Sequence, residues 1–237
     1  MTIHSKAAPR SGNSTDTAFV AIRELIVEGR LAPGSWIVES DLTSVLHVSR
    51  TPIRAALQWL QHEGYVVARG TGAKTRMMVA PLTLNDAREL YGIVGRMEGL
   101  AGQLAAGLPA KERTELVATL RKLNAELGKT AKSQHPEAGQ FVDIDTAFHD
   151  RIVEACSGRR IPAIYKAIKP QTDRYWRLYP STDSEDMKNS CQEHEAIVEG
   201  IARGDGNAAE RALQVNWEKG AERLAKAIMR FGERGNW

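Results

Sequence analysis

The first third of the chain alternates apolar stretches that fit helices with stretches that fit strands. Between Thr17 and Glu28, apolar residues recur at the three-to-four spacing of one helix face. The stretch Glu39–Tyr65 then predicts two short helices joined by a tight turn, and Gly64 stands where a left-handed residue commonly ends a helix. In the second helix, the residues predicted to face inward are Ile53, Leu57 and Leu60.

The second of these helices begins with a polar and basic sequence. Ser49 is a good N-cap residue, and Pro52 fits the first helical turn, where its missing N–H is tolerated. Arg50, Thr51 and Arg54 are left on the side opposite the apolar positions, near the start of the helix. This arrangement is typical of a helix-turn-helix that presents its second helix to a DNA major groove.

Two short strands are predicted after this helix. The stretches 65–69 and 75–79 are rich in β-formers, and the turn between them is glycine-rich. A basic hairpin directly after a helix-turn-helix forms the wing of a winged helix. Gly70 and Gly72 would let this wing approach DNA closely, and Arg69 and Lys74 would supply charge.

From Leu82 onward the apolar periodicity is helical, and we find no convincing strand. Thr83 is a plausible cap for the first of six helices, Pro109 ends that helix, and Pro170 lies inside the fourth. Short loops favour an antiparallel bundle. We therefore predict a mainly α chain with a tail over 1–15, a winged helix-turn-helix over 16–81 and an all-α bundle over 82–237.

The charge distribution separates these two domains. Residues 1–81 hold nine Lys or Arg against six Asp or Glu, whereas residues 82–237 hold 23 of each, so the whole net charge of +3 lies in the first part. A local basic excess favours polyanions through counterion release, although a solvated basic face has the same composition. The chain has only two cysteines, no apolar run of membrane-spanning length and no signal-peptide core. These features predict a cytoplasmic protein without a membrane anchor.

A candidate metal site lies in the helical part. Asp145 and His149 are four residues apart, so both project from one helix face, and a carboxylate with an imidazole at that spacing can chelate a divalent transition metal. His194, on the inward face of a later helix, is a candidate third ligand. Inward histidines are more often hydrogen-bonded core residues, and that interpretation stands beside the metal one.

The stretch IRELIVEGRLAPGSWIVESDLTSVLHVSRTPIRAALQWLQHEGYV resembles the N-terminal domain of the GntR family of bacterial transcription regulators. The resemblance is carried by Glu28-Gly29, Pro33-Gly34 and Ser49-Arg50-Thr51-Pro52 with Arg54 and Leu57, and Ala55 departs from it where the family usually has glutamate. Asp145-Thr-Ala-Phe148-His149 and Glu193-His194 with Ile197 resemble the FCD effector domain of the FadR-like branch, in its six-helix subtype.

The FCD resemblance implies a divalent metal of the zinc, nickel or manganese class. It also implies a last histidine 22 residues after His194, where this chain has Asn216. An asparagine oxygen is a weaker ligand for such metals than an imidazole. Three outcomes stay open: a weakened site of Asp145, His149 and His194, a site completed by Asn216 or water, or no metal.

The resemblance further implies a ligand-responsive DNA-binding regulator, a repressor that binds pseudo-palindromic operator DNA as a homodimer and senses a small carboxylate. The arginine that the family often places before its first glutamate is replaced by Val94 here, so Arg174 and Arg177 are the candidate effector-binding residues. The candidate DNA-binding residues are Glu39, Ser49, Arg50, Thr51, Arg54, Arg69, Gly70, Gly72 and Lys74.

Two alternatives remain at this point. The bundle would serve only for dimerisation if its pocket is vestigial, an interpretation that Asn216 keeps open. A metal-dependent helical enzyme with a DNA-binding appendage is the other, and it is disfavoured because no well-placed general base or nucleophile accompanies Asp145, His149 and His194. We therefore predict that the chain is not an enzyme.

Overall fold

The computed structural model describes residues 14–72, 75–132, 138–156, 158–179 and 184–235. Within them the chain divides into two units, with the division between Ala80 and Pro81. The first 13 residues of the predicted tail and the candidate DNA-binding residue Lys74 lie outside the described residues.

The first unit contains three helices and a two-stranded sheet in its described residues. The helices are α1 (Ser14–Val27), α2 (Glu39–Leu46) and α3 (Arg50–His62), and the strands are β1 (Val66–Arg69) and β2 (Arg76–Val79). The strands pair antiparallel with Val66 opposite Val79, and Trp36 adds an isolated bridge to Met78. The unit is thus a helix-turn-helix followed by a wing.

The core of this unit forms where the periodicity predicted it. Ile53, Leu57 and Leu60 of α3 are at most 1% exposed and pack with Ile22 and Ile26 of α1. Gly64 ends the helix in the left-handed region with φ of 80°, a conformation that glycine adopts without steric cost. Burial on one face leaves the opposite face of α3 at the surface.

The second unit is an all-helical bundle of six helices in the part that the structure describes. They are α4 (Leu84–Ala106), α5 (Ala110–Ala131), α6 (Ala138–Glu154), α7 (Arg160–Leu178), α8 (Ser184–Ala202) and α9 (Gly206–Phe231). Side chains cap two of them, since Thr83 accepts from the backbone N–H of Asp86 and Asp205 from that of Ala208. None of the helices in the described ranges is long and apolar enough to cross a membrane.

Helices α4 and α9 approach each other closely along a seam that includes Gly95 and Gly102. A Cβ atom at position 95 would lie 2.8 Å from Cβ of Trp217, and one at position 102 would lie 2.3 Å from Cδ1 of Leu213. Both separations are shorter than real Cβ contacts. At position 95 the obstacle is the Cβ of Trp217, so a larger residue there would push the helices apart, whereas at position 102 it is the end of the flexible Leu213 side chain. We call this contact the glycine seam, and it fixes the position of Trp217 beside the polar centre described next.

Candidate metal centre and nucleic-acid interface

Three predicted ligands meet inside the helical unit. Asp145 and His149 project from α6 and His194 from α8, and one ligand atom from each lies within 4.8 Å of the others. Nε2 of His194 is 3.4 Å from Oδ1 of Asp145, and Nε2 of His149 is 4.0 Å from Oδ2 of the same carboxylate. Both imidazoles therefore direct the same ring nitrogen toward Asp145.

His149 is oriented by a buried carboxylate that the candidate list lacked. Nδ1 of His149 lies 2.5 Å from Oε2 of Glu98, an α4 residue with no exposed surface. Glu98 also accepts from Nε1 of Trp217 at 2.8 Å and from the hydroxyl of Tyr165 at 3.0 Å. A carboxylate on one ring nitrogen leaves the other nitrogen for a metal ion, the arrangement of many metal-bound histidines.

The electrostatics of this pair support an ionised Glu98. Burial raises the pKa of Glu98, but the charge and hydrogen bond of His149, the hydrogen bond of Trp217 and the charge of Lys169 together outweigh burial and hold that pKa below its usual value. Burial lowers the pKa of His149, but the charge and hydrogen bond of Glu98 together with the charge of Asp145 outweigh burial and raise that pKa. Glu98 thus increases the electron density on His149 and fixes its ring.

His194 is in the opposite situation. It has no exposed surface, its ring stacks on Phe148 at 4.0 Å between centroids, and neither ring nitrogen has a hydrogen-bond partner in the described residues. Burial, with the charge of His149, holds the pKa of His194 well below its usual value. A buried neutral imidazole without partners is costly unless something else satisfies it, and a metal ion at Nε2 would do so.

Asn216 of α9 lies at the same cavity with a defined amide orientation. Its Nδ2 donates to Oε2 of Glu193 at 2.9 Å. Because a carboxylate only accepts, the amide nitrogen must face Glu193, which leaves the amide oxygen to act as a ligand. Asn216, which stands where a histidine was expected, therefore has an oxygen atom available as a metal ligand.

The residues present fit a divalent metal ion. Two ligands about 2.0–2.2 Å from one ion cannot be more than roughly 4.4 Å apart, so the 4.8 Å spread closes with a few tenths of an ångström of side-chain movement. Two imidazoles and one or two oxygens suit zinc, nickel or manganese. Asp145, His149 and His194 would hold the ion, with Glu98 behind His149.

The site borders a cavity of about 40 Å³ between α4, α6, α7, α8 and α9. Most of the lining is aromatic or apolar, and the polar lining includes Asp145, His149, Asn216 and Arg223. A space of about 10–15 Å³ on this scale holds one water, so the cavity accommodates an ion with a small organic ligand group. The mixed lining is typical of small-molecule sites.

The arginines proposed from the sequence as effector-binding residues do not line this cavity. Arg177 pairs with Asp143 at 2.7 Å, and Arg174 is buried in α7 with only 2% exposed. Arg223 of α9 lines the cavity instead. Its sequence signal was the spacing of seven from Asn216, which places both residues on one helix face.

The candidate DNA-binding residues form a polar surface on the first unit. Ser49, Arg50, Thr51 and Arg54 are exposed at the start of α3, and Gly70 and Gly72 are exposed in the wing with φ of 100° and 56°. Ser49 occupies the N-cap position, but its side chain makes no capping bond. Pro52, three residues on, has no N–H, so only the N–H of Thr51 could serve as the donor, and it makes no bond to Ser49. Ser49 is therefore the N-cap residue, but the expected side-chain hydrogen bond is absent.

Two contacts organise the basic residues of this surface. Nε of Arg54 donates to Oε2 of Glu39 at 2.8 Å, which links α3 to the start of α2. Arg76, which the candidate list lacked, lies over the exposed ring of Trp36 at 4.7 Å from its centroid. Arg69 is half-buried on β1. Glu39 therefore orients an arginine in this structure, and its own contribution to DNA contact remains a prediction.

Comparison with known proteins assigns a family to each of the two units. Residues 15–74 match the bacterial regulatory proteins of the gntR family, and residues 89–218 match the FCD domain. The chain is 25% identical over 209 residues to the uncharacterized HTH-type transcriptional regulator YdhC of Bacillus subtilis, covering 87% of this chain and 89% of that one.

Two further similarities extend over most of the chain. The gluconate operon transcriptional repressor of Bacillus licheniformis is 26% identical over 201 residues, covering 83% of this chain and 79% of the repressor. The solved structure of E. coli McbR/YncC superposes with a TM-score of 0.70 at 16% identity, covering 91% of this chain and 99% of that one. The latter supports the fold alone.

Proposed function

The chain belongs to the GntR family of bacterial regulatory proteins and carries an FCD domain, and from this premise we propose that it is a metabolite-responsive repressor. GntR regulators bind DNA and FCD domains bind effector ligands. Our proposal is that a small organic acid binds at a divalent metal in the helical unit and changes the affinity of the winged helix for operator DNA.

One observation carries this proposal. Asp145, His149 and His194 converge at a cavity, with Glu98 oriented behind His149 and with both nitrogens of His194 left without partners in the described residues. A core that used these histidines only for packing would satisfy their ring nitrogens within the fold. The arrangement favours a metal-bound ligand over a bundle that only dimerises.

We propose that Arg50 and Arg54 contact base edges or phosphates, while Ser49, Thr51 and the wing residues add polar and backbone contacts. Replacing Arg50 by alanine is expected to weaken binding to the specific operator by about 1–3 kcal/mol if this arginine contacts a base. Because Arg50 is exposed at the start of α3, its replacement should leave the fold intact. Fluorescence anisotropy with operator and scrambled DNA measures the difference.

A matched control is Arg30→Ala, because Arg30 is an exposed arginine outside α2, α3 and the wing. Its substitution should leave operator affinity within about twofold of the parent. Equal operator affinity in Arg50→Ala and the parent chain would show that α3 does not read the operator through Arg50.

Ligand and metal are expected to act together on DNA affinity. D-gluconate, the substrate class in the name of one relative, and L-malate and citrate are suitable probes. With zinc or manganese bound, we expect at least one probe to change operator affinity by about 5–150-fold, the usual range of allosteric coupling. Anisotropy titrations with and without EDTA measure this coupling.

The metal dependence is checked with His194→Ala. This variant should purify with less than a tenth of the parent's metal by elemental analysis, and its DNA affinity should no longer respond to the probe. Negligible metal in both proteins would refute the metal site. A metal-loaded parent that no probe affects would favour the dimerisation-only alternative.

We also propose that the chain acts as a homodimer on a pseudo-palindromic operator. Helix α4 presents Ile93, Leu100 and Leu104 at its surface, each 41–44% exposed and spaced by seven and four. Apolar side chains at such spacing form one stripe along a helix, which a second copy of the same helix would cover across a two-fold axis. Two DNA-binding units would then address two half-sites.

A further inference from the structure

Trp36 is a large aromatic residue of the first unit that lies outside its buried core. Its side chain is 44% exposed, and its backbone forms an isolated bridge to Met78 of β2. Arg76, two residues before Met78 on the same strand, places its guanidinium carbon 4.7 Å from the centroid of the tryptophan ring. An arginine of the wing therefore stacks on an exposed ring that precedes α2.

The stacking restricts the position of the Arg76 charge and leaves its hydrogen-bond donors available. A guanidinium stacks through its face, while its five N–H donors lie in its plane. Arg76 is exposed, and no ion pair in the part of the chain that the structure describes includes it. A cation that is held in place but not neutralised is suited to an anion from outside the fold.

Arg69 adds a second cation to the same face of the wing. It stands directly opposite Arg76 in the antiparallel pairing of β1 with β2. Side chains that stand opposite each other project from one face of a sheet, and like charges in such a pair repel each other. An anion close to both guanidinium groups offsets that repulsion, so this face of the wing favours negatively charged ligands.

The chain places this face near α3. Trp36 lies three residues before Glu39, and Glu39 accepts a hydrogen bond from Arg54 of α3 at 2.8 Å. Three residues of extended chain span at most roughly 11 Å. Duplex DNA carries one negative charge per about 1.7 Å of its axis, so a duplex that contacts α3 has phosphates within this reach.

We propose that Arg76 and Arg69 bind a phosphate of the DNA backbone, and that Trp36 is a positioning residue that holds Arg76 for this contact. The inference rests on the proposed DNA contact by α3 and the wing, and it adds a phosphate site that depends on a residue outside both. A phosphate carries no sequence information, so this site raises the affinity for operator and for unrelated DNA by the same factor.

Arg76→Ala tests the phosphate contact. One phosphate contact contributes about 0.9 to the slope of log affinity against log salt concentration, so the magnitude of the slope should fall by about one. The same relation gives a loss of about 5–10-fold at about 0.1 M salt, equal for both kinds of DNA. Fluorescence anisotropy of the full chain with operator and scrambled duplexes, between about 0.05 and 0.3 M salt, measures the slope and the loss.

Trp36→Ala tests the positioning role. Without the ring, Arg76 keeps its charge but loses its restraint, so the affinity for both duplexes should fall by about two- to fivefold while the salt slope stays that of the parent. Trp36→Phe keeps a ring under the guanidinium and should recover most of the affinity. In the Arg76→Ala background, removing the ring should change DNA affinity no further. An equal loss in both backgrounds would overturn the positioning role.

Arg23→Ala is the matched control, because Arg23 stacks on Phe19 of α1 at 5.3 Å, outside α2, α3 and the wing. Its affinity and salt slope should match those of the parent. All variants are compared at a temperature at which circular dichroism shows them folded.

The remaining outcomes are distinct. Parental affinity and slope in Arg76→Ala overturn the phosphate site, while a loss in Arg50→Ala would still support DNA contact by α3. A loss in Arg76→Ala that is confined to the operator shows contact with a base and overturns the phosphate site as well. A parent chain that binds neither duplex overturns the proposed DNA contact itself.

Discussion

Replacing Glu98 by alanine is expected to destabilise the helical unit by about 3–5 kcal/mol, the cost of breaking a buried charged pair. The substitution leaves the Trp217 indole, the Tyr165 hydroxyl and Nδ1 of His149 without the carboxylate that they contact, in a buried site. It also opens a cavity on α4. Urea unfolding followed by circular dichroism at 222 nm measures the change.

Glu98→Gln separates stability from metal binding. The amide keeps the shape and one acceptor oxygen, so the loss of stability should be smaller than in the alanine variant. The charge behind His149 is gone, and weakened support of a metal-bound histidine costs about 10–100-fold in metal affinity. Zinc titration against a competing chelator measures that affinity.

The matched control for both variants is Glu199→Ala on the surface of α8. Glu199 lies 3.8 Å from Arg203, and both side chains are about half exposed, so its loss should change stability by less than about 1 kcal/mol. If Glu98→Ala lowers the free energy of unfolding by no more than this control does, the hydrogen bonds of Glu98 do not stabilise the bundle.

If the proposed homodimer forms through α4, replacing Leu100 and Leu104 together by glutamate is expected to convert it into monomers. Burying one leucine contributes about 1.5–3 kcal/mol, and a two-fold axis counts each substitution twice, so the dimer dissociation constant should rise at least about 100-fold. Light scattering coupled to size exclusion, at protein concentrations from 1 to 100 times the parent's dissociation constant, measures it.

Ile164→Glu on α7 is the control, because Ile164 is 52% exposed and lies outside the α4 stripe. Its dissociation constant should match the parent's. A double variant that remains dimeric would place the interface elsewhere. A dimer lost in both variants would indicate a general effect of added charge rather than an interface on α4.

The winged helix and the helical bundle could be predicted from the local spacing of apolar and polar residues. In α3, the buried positions and the left-handed conformation of Gly64 after the helix depend on spacing within a few residues. The sequence therefore predicts them without knowledge of the rest of the fold. The juxtaposition of Asp145 and His149 likewise follows from one helical turn. Ser49 occupies the predicted N-cap position, but its expected side-chain hydrogen bond is absent, and Pro52 removes one of the two usual donors.

The remaining parts of the candidate site depend on distant contacts. The three donors to Glu98 are 51, 67 and 119 residues away along the chain, so no local pattern assigns them. One signal was available: Glu98 lies seven residues after Tyr91 on an otherwise apolar helix face, and a lone carboxylate on such a face must have partners. That Arg223 lines the cavity, whereas Arg174 and Arg177 do not, depends on the packing of α9 and could not be predicted from the sequence.

The glycine seam between α4 and α9 has a consequence for how this cavity can evolve. Because position 95 admits no larger side chain without moving α9, substitutions at this contact should not enlarge or reshape the chamber. Adaptation to a different metabolite should therefore accumulate on the other three helices that line the cavity. A directed-evolution library that seeks a new inducer is best concentrated at Phe141, Trp176 and Met187.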